Sequence, residues 1–117
     1  MGRQTSAISA VQTTIDKARA VGYRAGTHEE LDSLATELRD HVAQMLPVAQ
    51  DRTDRMWHGS REWYVLATRL SSISSEAEQS LATGKLAAHV QVRLLALDCE
   101  WLLTRYGADL PGQEPPR

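Results

Sequence analysis

Arg39, His41, His89, Arg93, Asp98 and Glu100 are the side chains of this 117-residue sequence best suited to proton transfer or to holding a charged ligand. Histidine changes charge near neutral pH and serves as general acid or base, and arginine grips carboxylate or phosphate. Gathered in one pocket inside a helical bundle, these six residues would suit a small-molecule site, catalytic or not. Glu37 and His41, one turn apart, are the nearest approach to a metal motif. The Glu-x-x-His pair of di-iron bundles is absent, however, and no two histidines have zinc spacing. Neither a metal nor an organic cofactor is expected, and no Gly-rich phosphate loop occurs.

Cys99 is the single cysteine. Nearly three helical turns separate it from His89, on another face, so the two form no nucleophile–base pair. Its place in an apolar stripe makes it a core thiol. The densest aromatic cluster is MWHGSREWY at residues 56–64, where Trp57, His58, Arg61 and Trp63 combine ring and guanidinium chemistry. Such a group suits a partner hot spot or a pocket mouth. The plainer alternative is that the two indoles close one end of the core, with Arg61 stacked on either.

The element that must position these residues is the proline-free stretch 86–106, LAAHVQVRLLALDCEWLLTRY, bracketed by Gly84 and Gly107. At about 100° per residue its apolar side chains form two stripes rather than one. The first is Leu86, Val90, Leu94, Leu97 and Trp101; the second is Val92, Leu95, Cys99, Leu102, Leu103 and Tyr106. Two stripes predict a helix sheathed by protein on both flanks. Between them run two polar rows, Gln91–Asp98–Arg105 and His89–Arg93–Glu100–Thr104. If buried, Asp98 needs a cationic partner such as Arg39 or Arg69, because an unpaired buried charge costs several kcal/mol.

Three further helices are predicted. Ile8, Val11, Ile15, Ala18 and Val21 recur at spacings of three and four, with Gly22 and Gly26 closing the run. Thr27-His28-Glu29-Glu30 is a capping box that opens a second helix with the stripe Leu31, Leu34, Leu38, Val42, Met45 and Ala49. Pro47 falls inside it, but the stripe stays in phase to Met56, which predicts one kinked helix with a true break as second choice. Ser60 caps a third helix whose stripe runs from Trp63 to Leu81 and whose end is set at Gly84. Residues 1–110 read as a single domain and 111–117, with three of the four prolines, as a disordered tail. The expected fold is all-α, an antiparallel up-down four-helix bundle with the fourth helix most buried.

Composition narrows the function classes. A formal net charge of −2 offers no electrostatic footprint for nucleic acid. Lys17, Arg19 and Arg24 are too few for a phosphate grip, so a DNA-binding regulator ranks last. Residues 1–20 lack the apolar run of a secretion signal and no window would span a bilayer, so the chain reads as cytoplasmic with no membrane partner. Eleven of the thirteen basic residues are arginine, the bias of a GC-rich, actinobacterial genome.

Between residues 30 and 107 the pattern Glu37-Leu38-Arg39-x-His41, Pro47, the Leu81-x-x-Gly84 ending, His89 and Cys99-x-x-Leu102-x-x-x-Tyr106 resembles a family of small actinobacterial proteins. Those proteins carry the label natural product biosynthesis protein. The resemblance leaves the first helix outside, implies a helical fold and no particular reaction, and keeps Arg39, His41 and His89 as pocket liners. The preferred function is a small accessory or interaction module working through helix faces. A homodimer of about 26 kDa, twice the 13.0 kDa chain, is the simplest cover for surplus apolar surface. Another helical protein is the alternative partner, and a pathway metabolite the occupant under the pocket reading.

Overall fold

The sequence builds four helices, α1 (Ala7–Ala20), α2 (His28–Asp54), α3 (Arg61–Ala77) and α4 (Lys85–Tyr106), followed by a short 3-10 turn, Gly107–Asp109. The computed structural model describes residues 7–21 and 26–110. The tail 111–117, the first six residues and Gly22 with Arg24 lie outside the described residues, as do the expectations placed on them.

The capping box forms as its spacing predicts. The Glu30 amide donates to Thr27 Oγ1 at 3.1 Å, and the Thr27 amide donates to Glu30 Oε1 at 3.0 Å. Two of the amides that a helix start leaves without an intrahelical acceptor are thereby satisfied. Helix α2 then runs unbroken through Pro47, and its buried residues Leu38, Val42, Met45 and Ala49 keep one phase across it. Pro47 itself is exposed. Burial of the stripe on both sides of the proline outweighs the one donor it removes.

Helix α3 begins where expected, with the Trp63 amide donating to Ser60 Oγ at 3.0 Å. It ends at Ala77, seven residues short of the predicted Gly84. Side chains from two other helices hold the released segment. Arg39 Nη2 donates to the Gln79 carbonyl at 2.9 Å. Gln91 Nε2 donates to the Ser80 carbonyl at 2.8 Å, and Gln91 Oε1 accepts from the Ala82 amide. These bonds satisfy backbone groups that a continued helix would have paired internally.

Helix α4 packs mainly against α2 and α1; α3 lies on α2 and meets α4 only sparingly. The molecule is a slab, 44 × 41 × 17 Å, about two helix layers thick. The core joins Val11 and Ile15 of α1, Leu31, Leu38 and Met45 of α2, Ile73 of α3, and Val92, Cys99 and Leu102 of α4. Leu110 is also buried, and the Arg52 guanidinium on α2 pairs with Asp109 beside it, so the chain is anchored up to the edge of the described residues.

The predicted two-sided sheath of α4 is not what the fold builds. Its second stripe, with Ala88 and Ala96, is buried except for Leu103, which is half-buried against the core. Four of the five residues of its first stripe are exposed, Leu86 at 68%, Val90 44%, Leu94 43% and Leu97 54%, while Trp101 is half-buried. The reason lies in the slab. With α3 on α2 rather than across α4, no helix among the described residues covers that flank.

A pair of truncations reads this directly. Leu38→Ala removes a fully buried side chain and is expected to cost about 2–5 kcal/mol in denaturant unfolding. Leu97→Ala, in the same assay on dilute protein, is expected to stay within about 0.5 kcal/mol of the parent. Equal costs would mean that Leu97 is covered.

Candidate functional site

The six candidate side chains lie at five separate places in the fold. Arg39 braces the α3–α4 connection through Gln79. His89 is buried beneath the α1–α2 connection, where a Cβ on Gly26 would come within 3.4 Å of its ring and 2.8 Å of Val21 Cγ1. Gly26 is thus required for close approach. Arg93 and Glu100 are neighbours on the rim of α4, sharing with Arg19 a cleft of about 60 Å³. That is far below the roughly 300 Å³ of a metabolite pocket. Glu100 Oε2 accepts from Arg19 Nη2 at 2.6 Å, tying α1 to α4.

His41 sits in the α1–α2 seam in the one arrangement that resembles a catalytic pair. Thr14 Oγ1 lies 2.9 Å from His41 Nε2 and 3.3 Å from Glu37 Oε1, and Lys17 Nζ pairs with Glu37 at 3.3 Å. Burial lowers the imidazole pKa, against the pull of Glu37 and Asp40, so the ring is neutral at pH 7. A hydroxyl beside a neutral imidazole is the chemistry of an activated nucleophile. Thr14, however, is only 4% exposed, and its hydroxyl also reaches the Ala10 carbonyl at 3.2 Å. A substrate carbonyl has no path to it. The contact is a polar tie between two helices. Thr14 escaped the sequence reading although it lies three residues after Val11 and four before Ala18, on the buried stripe of α1.

Asp98 is buried at the α3–α4 seam and takes one of its two proposed cations: Arg69 Nη2 donates to Oδ1 at 3.4 Å. Oδ2 meets no donor. The Glu76 carboxyl lies within hydrogen-bonding reach of Asp98, so two acceptors face each other unless one is protonated. Burial first, then the Glu76 contact, push the Asp98 pKa up to about 8 in spite of Arg69. Cys99, next along α4, donates its thiol to the Leu38 carbonyl at 3.4 Å. Burial and the neighbouring Asp98 drive its pKa up to about 12, the opposite of an activated thiol.

The aromatic cluster divides. His58 stacks on Trp63 at 4.5 Å, and its Nε2 lies 3.1 Å from the Asp54 carbonyl. Trp57 folds over Gly59 and is 77% exposed, and Arg61 is exposed as well. Neither indole belongs to the core. Trp101, at the end of the bare stripe, is where an aromatic ring and guanidinium groups do come together. The Arg69 guanidinium lies 5.1 Å and that of Arg105 5.5 Å from its ring centroid. With Leu97 they line an open cleft of about 500 Å³. The sequence held Trp101 and Arg105 on one helix; Arg69 arrives from α3, which periodicity does not reveal.

Among the described residues no three His, Cys, Asp or Glu side chains converge as a metal site, and no helix is long and apolar enough to cross a membrane.

Two outcomes test these assignments. An unfolded Asp titrates near pH 4 and native Asp98 near 8, so between these values the native state binds more protons and loses stability as pH rises. Asp98→Asn removes that loss. Its melting temperature is expected to match the parent near pH 4 and to exceed it by about 4 °C or more at pH 8.5. A difference independent of pH would show that Asp98 titrates normally. For Cys99, a chromogenic disulfide reagent at pH 8 is expected to leave the native thiol untouched and to modify it fully in denaturant; rapid native labelling would contradict its burial.

No curated protein and no solved structure matches the chain. Residues 9–111, a span that takes in α1 as well as the three later helices, match a family of unknown function. The chain therefore belongs to the family DUF6415.

Proposed function

We propose that this protein is a helical interaction module that works through the outer face of α4. One observation carries the reading: Leu86, Val90, Leu94 and Leu97 form a continuous exposed apolar line along the helix that organises the core. Isolated surface leucines are common, but an apolar line about three turns long on one helix is the pattern of a recognition face. Short connections at residues 55–60 and 78–84 favour an antiparallel up-down course, in which α4 lies between α1 and α3 with its outer flank open. The resemblance to natural product biosynthesis proteins and the arginine-rich composition support an accessory role in an actinobacterial specialised-metabolite pathway. The face would be covered by a second copy or by a helix of another protein.

The interior-pocket reading has less support. Its six residues are dispersed over separate seams, and the cleft that Arg93 and Glu100 share is too small for a metabolite. No observation favours the DNA-binding alternative.

Sedimentation velocity on the parent and on Val90→Glu/Leu97→Glu, from low micromolar to several hundred micromolar, tests the proposal together with anisotropy of a labelled amphipathic helical peptide. The expected result is peptide binding, self-association, or both in the parent, and neither in the variant at unchanged helix content. A parent that stays at 13.0 kDa and ignores the peptide throughout would overturn it.

A further inference from the structure

Four of the five residues from 71 to 75 are serine. Serine is a poorer helix former than alanine because its hydroxyl competes for backbone groups, so this stretch of α3 gains no stability from it. Nor do these hydroxyls act as ties. In α1 the Thr13 and Thr14 hydroxyls bond back to the Ser9 and Ala10 carbonyls at 2.9 and 3.2 Å. Ser71, Ser74 and Ser75 make no side-chain hydrogen bond to any described residue, and all three line one open cleft between α3 and α2.

The cleft measures about 430 Å³, within the range of small-molecule sites. Helix α3 borders it from Ala67 to Glu78, about 16 Å of helix, and α2 borders it through Gln50, Thr53 and Asp54. Thr53 is the member that points to an occupant. It is 3% exposed, and its Oγ1 has no hydrogen-bond partner among the described residues. A buried hydroxyl without a partner costs stability, and a ligand atom bonded to it restores that loss. Thr53 also borders a second cleft, beside Arg52, Glu62 and Arg105. That cleft carries both signs of charge and selects no ligand by charge; the α2–α3 cleft carries one.

Asp54 and Glu78 are its charged members. No Lys, Arg or His lines it, and neither carboxylate is in an ion pair with a described residue. Carboxylates only accept hydrogen bonds, whereas hydroxyls and the Gln50 amide both donate and accept. The lining therefore matches a cation rich in hydroxyl groups. Its apolar part is confined to Ala67 and Leu70, too little for a fatty or flat aromatic ligand. A bare metal ion fits neither the volume nor the ligand count, since no three His, Cys, Asp or Glu side chains converge among the described residues.

We propose that the α2–α3 cleft binds a small hydroxylated amine of the amino sugar or aminocyclitol kind. Asp54 and Glu78 attract its ammonium groups, while Thr53, Gln50 and the serines receive its hydroxyls. The cleft shares no residue with the exposed line of α4, so this site and the interaction face stand or fall separately.

The test titrates the full chain at low salt with glucosamine and 2-deoxystreptamine, and with glucose, myo-inositol and putrescine as controls, followed by two-dimensional amide spectra. The two hydroxylated amines are expected to bind at least about tenfold tighter than the neutral polyols, with shifts centred on residues 50–54 and 67–78, and to weaken as salt rises. Asp54→Asn/Glu78→Gln is expected to bring amines and neutral polyols within about twofold of each other. Thr53→Val removes the buried hydroxyl at constant shape. It is expected to melt no lower than the parent and to bind the amines at least about fivefold more weakly. A Thr53→Val protein that melts several degrees lower and binds as the parent does overturns the proposal, because the hydroxyl then serves the fold. Equal binding of the neutral polyols overturns the cationic ligand, and binding of putrescine in place of the hydroxylated amines overturns it in favour of a polyamine site. Shifts confined to residues 86–97, or no binding of any probe at about 10 mM, overturn the site itself.

Discussion

A helix with apolar residues on two opposite flanks needs cover from both, and among the described residues neighbours cover only one. That shortage governs the molecule. Helices α1 and α2 take the flank of α4 that carries Val92, Leu95, Cys99 and Leu102, while α3 settles on α2. The result is a slab about two helix layers thick with an uncovered apolar flank on α4. Each exposed leucine forgoes up to about 1.5–3 kcal/mol of transfer free energy that burial would supply, so the surface is stabilising only once something covers it.

Polar groups, some buried and some on the rim, serve as joints between helices. Thr14 and His41 join α1 to α2, Arg19 and Glu100 join α1 to α4, and Arg69 with Asp98 joins α3 to α4. Arg39 and Gln91 hold the segment at which α3 ends. Asp98 differs from the others. Its burial beside Glu76 disfavours the charged form, so the α3–α4 seam is tightest when the two carboxyls share a proton.

The same seam shapes the outer face. Arg69 spans the buried Asp98 carboxylate and the exposed Trp101 ring, which places a cation from α3 at the end of a stripe that belongs to α4. Arg105 stands over that ring too, with Trp101 packed edge-on against Tyr106 beneath. Core, seam and rim thus share residues within two turns of helix.

What the sequence determined by itself is local. Periods of three and four placed four helices, the capping box opened α2 at Thr27, and the phase of the apolar stripe across Pro47 kept that helix whole. Neighbouring residues along one chain dictate these features. Stripe membership also placed Cys99 in the core; for Asp98, on a polar row, the sequence offered Arg39 or Arg69 only on condition of burial, and the fold supplies Arg69. Tertiary structure alone decided which stripe of α4 would be bare, where α3 would stop, and which polar residues would meet. Periodicity reports that a face is apolar, not whether another helix reaches it. The end of α3 depends on Arg39 and Gln91, both remote in sequence. For the same reason Thr14 with His41, and Arg69 with Trp101, were invisible beforehand: each pair joins two helices, and the distance between helices is set by packing, not by spacing along the chain.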